Sequence, residues 1–131
     1  MRFKALNTTG EVSNESTKQQ SRELRQSQNA KDYRLALDLR REEKEVGGQN
    51  WIVARTLLTR VIERCADASD DLSRRINYLC ERNLGDMLRL EGKKEDALRC
   101  FVRAAELDAR DVVLWEEIGR LACANRKMKL A

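Results

Sequence analysis

Two glycines, Gly85 and Gly119, lie 34 residues apart, and the residues around the first are spaced as two packed helices require. Leu84-Gly85 puts a small residue on one helix where a neighbour must approach closely. Phe101 and Ala104 follow Ala97 by four and seven residues, which sets all three on one stripe of a second helix. Between the two helices, Glu91-Gly92-Lys93 supplies a turn in which Gly92 is free to take the left-handed conformation that closes a helix. Asp111 is the expected N-cap of a third helix, its carboxylate accepting the amide of Val113 or Leu114. Counted from Tyr78, one complete unit runs to Asp111; the next opens at Val112, with Trp115, Ile118 and Gly119 at its fourth, seventh and eighth positions.

Period, small residues and large aromatic together resemble the tetratricopeptide repeat. The resemblance implies stacked helix-turn-helix pairs that hold protein partners. The expected fold is all-α: tetratricopeptide-like repeats forming a right-handed α-solenoid fragment, packed through Leu84, Gly85, Ala97, Phe101, Ala104, Trp115, Ile118 and Gly119. An ordinary helical bundle is the alternative. Glu81 departs from the pattern, standing where Trp is usual, as does Ala109, where Pro often closes the second helix.

Upstream, residues 18–66 trace a degenerate first repeat from Tyr33, Leu35, Leu37 and Leu39 into Trp51, Ala54, Leu57-Leu58 and Val61-Ile62. Its loop, around Gly47-Gly48-Gln49, is longer than the consensus, and Asn50 is expected to cap the helix that Trp51 opens. Residues 67–77 are a linker and the start of a helix, 78–111 the complete repeat, and 112–131 the first helix of a truncated third repeat. That last helix would present Trp115, Ile118 and Ala122 without a covering helix, so the chain reads as a fragment or a truncated gene product. Residues 1–17, poor in apolar side chains, are expected to form a disordered tail. From Lys18 no breaker intervenes before Gly47, which predicts one long helix.

Charged residues make up 37% of the chain, aromatics 5%, and proline is absent, as suits a soluble helical module without membrane span or signal peptide. The four cysteines are separated by 15, 20 and 23 residues, which fits no zinc signature. Cys80, Cys100 and Cys123 read as small core side chains in a reducing compartment. Histidine is absent, which removes the commonest general base, and there is no Gly-rich phosphate loop, so no enzyme, cofactor, metal or small-molecule substrate is expected. Adjacent acids such as Glu42-Glu43, Glu95-Asp96 and Glu116-Glu117 point about 100° apart on a helix and do not converge. The net charge of +4 suggests nucleic acid only weakly: within residues 78–111, seven Lys/Arg face eight Asp/Glu, a local net of −1, with no interleaved aromatics for stacking.

By the same resemblance, the first helix of each repeat lines a concave face. The positions concerned are Leu79, Arg82, Asn83, Asp86 and Arg89, then Val113, Glu116, Glu117, Arg120 and Cys123. Asp86 and Glu116 stand where repeats that clamp a chaperone's terminal carboxylate need an amide and a cation, which disfavours that ligand. The candidate partner groove is therefore Arg82, Asp86, Glu116, Glu117 and Arg120, of mixed and acidic character, suited to a basic or amphipathic segment; a groove without a ligand in this portion is the alternative.

The opening Ala5-Leu6-Asn7, the Ala36-Leu37-Asp38-Leu39 stretch, Glu95-Asp96-Ala97, and the junction from Leu107-Asp108 through Asp111-Val112 to Leu114-Trp115 resemble the extreme N-terminus of the calcineurin-binding cabin family. These proteins form the third-subunit family of the histone regulator chaperone complex. The resemblance spans nearly the whole chain, although residues 42–75 differ. It implies a large nuclear scaffold in replication-independent nucleosome assembly, with the complex's protein subunits as partners, histones contacted indirectly, and calcineurin contacts far downstream. A cytoplasmic or nuclear adaptor of another assembly is the alternative.

Overall fold

The computed structural model describes residues 10–130, with side chains placed over 17–24 and 28–124. Five helices make up the described residues, and no strand occurs among them: α1 Gly10–Glu42, α2 Gln49–Cys65, α3 Asp71–Leu90, α4 Lys94–Leu107 and α5 Val112–Leu130. Each helix packs on the next, and α1 also packs on α3. One core cluster runs through the chain, from Ala36 past Trp51, Leu58, Val61, Met87 and Phe101 to Leu114 and Leu121. Burying an aliphatic side chain of this size contributes about 1.5–3 kcal/mol each.

The sequence predicts a tail to residue 17, but α1 already begins at Gly10, so only residues 1–9 of that tail lie outside the described residues. Gln, Glu, Ser and Arg fill the early turns without proline, and none of them breaks a helix. Residues 17–24 are exposed, and burial starts at Asn29. There α2 reaches across: Arg64 donates to Asn29 Oδ1 and to Asp32 Oδ2, both at 2.9 Å, so these buried polar groups enter the interface satisfied.

The α1–α2 connection differs from the sequence expectation in its cap. Helix α2 opens one residue before Asn50, on an N-cap Gly48 that offers no side chain. The free amide of Asn50 donates instead to Glu43 Oε2 at 3.3 Å. Glycine at 48 makes room for this, because a Cβ there would meet that same oxygen at 2.5 Å. Asn50 is therefore the capped residue, and the capping carboxylate comes from Glu43, the residue just past the end of α1.

Further along, Asp70 caps α3 through the amide of Ser73 at 2.9 Å, and Asp111 caps α5 through that of Leu114 at 3.0 Å. Gly92, at φ 84°, closes α3. Helices α3 and α4 then meet through the residues the spacing singled out: Leu84, Gly85, Ala97, Phe101 and Ala104 are all buried. Glu81, at the usual Trp position, is buried as well, its Oε2 held at 2.8 Å by Nε of Arg103 on α4.

Helix α5 rests on α4 through Leu114 and Leu121, with Ile118 partly buried beside them. Trp115 is 48% exposed, its indole N–H donating to the Ala109 carbonyl at 2.8 Å; Gly119 has open space where a Cβ would stand, and Ala122 is exposed. Cys123 is likewise exposed, which corrects its reading as a core residue. It falls on the side of α5 away from Leu114 and Leu121. Cys65 joins Cys80 and Cys100 in the core instead.

Candidate functional site

The last turns of α1, the middle of α3 and the start of α5 converge on one polar face. Arg40, in the final turn of α1, forms an ion pair with Asp86 Oδ2, and its Nη1 reaches Asn83 Oδ1 at 3.4 Å. From α3 itself, Arg89 Nη2 takes the other Asp86 oxygen at 2.6 Å. The Arg89 Nε then extends to Glu117 Oε1 on α5 at 3.4 Å. Arg120 holds the remaining Glu117 oxygen through Nη2 at 2.6 Å and Nε at 3.1 Å. Nearer the cap of α5, Asp111 Oδ2 accepts from the Tyr78 hydroxyl and pairs with Arg82 Nε at 3.1 Å.

Between α3 and α5 these side chains surround a cavity whose rim is Arg82, Asn83, Asp86, Arg89 and Glu117 and whose apolar lining is Phe101, Val113 and Leu114. Leu114 and Phe101 are buried while Val113 is 59% exposed, so the cavity has an apolar floor open to solvent. Burial pushes the Asp86 carboxyl up, but the hydrogen bonds from Arg89 and Arg40 outweigh it, leaving that carboxyl below its usual range. Asp111 is held low chiefly by the Tyr78 hydroxyl.

Of the residues expected in a partner groove, Arg82, Asp86 and Glu117 line this cavity, and Arg120 joins them through Glu117. Glu116 does not line it and is exposed on the next face of α5. Arg40 escaped the sequence reading, because the first unit is too degenerate to project its groove positions. The charges are mixed and balanced on the lining itself, Arg82 and Arg89 against Asp86 and Glu117, with Arg40 and Arg120 paired to those two acids from either side.

Among the described residues no group of His, Cys, Asp and Glu is placed to hold a metal ion, and no helix is long and apolar enough to cross a membrane. A family model described as the CABIN1 N-terminal domain matches residues 17–131. A curated relative, Calcineurin-binding protein 1 of Arabidopsis thaliana, is 36% identical over 59 residues, which is 44% of this chain and 3% of the relative. The chain thus spans a small fraction of the length of the curated relative it matches. No solved structure matches it.

Proposed function

Because the chain belongs to the CABIN1 N-terminal domain family, we propose that it is a non-enzymatic scaffold segment whose helix pairs stack in the tetratricopeptide manner. In this reading α3 and α4 are one complete pair, α1 and α2 a degenerate pair before it, and α5 the first helix of a third. The observation that carries it is the contrast between the two glycines of the 34-residue period: Gly85 lies against Phe101 of α4, and Gly119 occupies the corresponding place on a helix whose second face is open. Ties between pairs support it too. The indole N–H of Trp51 and Nη1 of Arg55, both on α2, reach the Glu91 carboxylate beyond α3 at 2.8 and 2.9 Å.

The assembly served is a nuclear histone chaperone complex for replication-independent nucleosome assembly, and the full-length protein regulates calcineurin. The name of the Arabidopsis relative supports the calcineurin part; the sequence resemblance supports the chromatin part. An adaptor of another cytoplasmic or nuclear assembly is the second reading. Co-purification with the tagged full-length protein separates them. Histone regulator subunits in the eluate are the expected result; recovery of chaperones or signalling enzymes without those subunits overturns it.

A further inference from the structure

We propose that the outer face of α5 pairs, antiparallel, with the same face of a second copy of this chain. The 34-residue period supplies the comparison that picks this face out. Cys80 and Met87 of α3 are buried, and so are Leu114 and Leu121, their counterparts on α5. Tyr78, Glu81, Gly85 and Leu88 are buried as well, but Val112, Trp115, Gly119 and Ala122, 34 residues on, are exposed. On α3, helix α4 covers this second stripe, with Phe101 against Gly85 and Arg103 against Glu81. No such helix returns over α5 among the described residues. Asn125-Arg126-Lys127 stands where Glu91-Gly92-Lys93 makes its turn, and α5 runs on as helix to Leu130. The open stripe presents large apolar side chains, Val112 at 67% and Trp115 at 48% exposure, of the kind that interfaces bury.

What covers the stripe is read from its own pattern. Steps of three, four and three residues are those of a seam between two helices. Its large side chains, Val112 and Trp115, fill the first half, and its small residues, Gly119 and Ala122, the second. In a parallel pair large would meet large. About a two-fold axis beside Ile118, each Trp115 instead lies on Gly119 and Ala122 of the other copy. This repeats between copies the contact that Phe101 makes with Gly85 inside the chain. The slot is open, since a Cβ on Gly119 would meet nothing within 4 Å, and the Ala109 carbonyl already holds the Trp115 indole in place. Charge follows the same axis. Glu116 and Arg120 are exposed on one flank of the stripe, and antiparallel pairing sets each Glu116 beside Arg120 of the other copy. Three turns of helix bury a small area, so the dimer is a weak one, on the order of micromolar.

The test is sedimentation equilibrium of the whole chain over a range of concentrations, with tryptophan emission read in parallel. Trp51 is buried already, so a blue shift that grows with concentration reports Trp115. A monomer–dimer equilibrium is the expected result. Gly119→Leu fills the slot at a position where a Cβ touches nothing in its own chain, and should weaken the dimer by roughly tenfold or more while the melt of the monomer holds. Glu116→Arg should weaken it as well, and Glu116→Arg together with Arg120→Glu should restore it. A chain that stays monomeric throughout, a dimer unmoved by Gly119→Leu, or a charge exchange that fails to restore pairing overturns the proposal. A synthetic helix with the sequence of residues 93–108 is the rival occupant. If it shifts the Trp115 emission where the chain alone is monomeric, the face belongs to a helix of the α4 kind from another polypeptide, and the proposal falls. Co-purification with the full-length protein reads the scaffold role independently, so each claim can fail without the other.

Discussion

A Cβ placed on Gly85 would stand 2.7 Å from Cε1 of Phe101 and 3.2 Å from Cβ of Cys100. Phe101 is 3% exposed and Cys100 2%, so neither has room to withdraw. Gly85→Ala should therefore cost on the order of 1–3 kcal/mol by overpacking. Gly119→Ala meets nothing within 4 Å and should instead stabilise α5 by about 0.5–1 kcal/mol through helix propensity. Thermal melts of the two variants decide the matter; equal and opposite signs reversed from these would place the tight crossing elsewhere.

Glu81 and Arg103 form the least conventional contact of the core. The Glu81 side chain is 3% exposed, its Oε1 has no hydrogen-bond partner among the described residues, and its other oxygen depends on a half-exposed arginine. Arg103→Leu should destabilise by about 1–3 kcal/mol, less than loss of a fully buried partner because Arg103 is open to water. Adding Glu81→Leu should recover most of that loss. A chemical-denaturation double-mutant cycle measures the coupling, and additive effects would show that the two do not act as a pair.

Thiol reactivity should separate the four cysteines. Burial pushes the Cys100 thiol up to about 12 and raises Cys65 and Cys80 as well, so none of the three offers thiolate near neutral pH. Cys123 is exposed. With a chromogenic disulfide reagent at pH 8, one thiol should react fast and three only on unfolding, and Cys123→Ser should abolish the fast phase.

Acid should loosen the joint between α1 and α3. The Asp86 carboxyl is depressed in the folded state by Arg89 and Arg40. Its contribution is therefore fully present above the unfolded value of about 4 and is lost as pH falls through the lower folded value. Asp86 and Arg40 are partly exposed, so at most about 1 kcal/mol is expected, and salt should reduce it. Asp86→Asn should lower stability at neutral pH and flatten the pH dependence below pH 4 in urea titrations.

Much of this was legible in the sequence, for a physical reason in each case. Ala97, Phe101 and Ala104 declared one buried stripe because helical periodicity and side-chain size act locally. Asp111 and Gly92 declared a cap and a stop because short-range backbone geometry selects them. The cap of α2 was misplaced at Asn50, since its acceptor, Glu43, lies seven residues back across a loop whose closure no local pattern records. Cys123 was placed in the core because periodicity marks a residue as helical without saying which side is covered. Arg40 belongs to the groove through contacts with Asn83 and Asp86, 43 and 46 residues away, and spacing within one helix pair carries no trace of them.

Arg40 also has its guanidinium 5.7 Å from the centre of the Trp51 ring while it binds Asp86. One side chain at the end of α1 thus grips α2 and α3 together, just before the chain enters the loop with its Gly47-Gly48 pair. At about 1.5 Å per residue, the 33 residues of α1 make a rod of about 50 Å, fastened along its second half and braced at its tip. The Arg40 side chain links the end of α1 to α3 directly, without passing through the loop, so the position of α1 and the placing of Asp86 are set by one guanidinium.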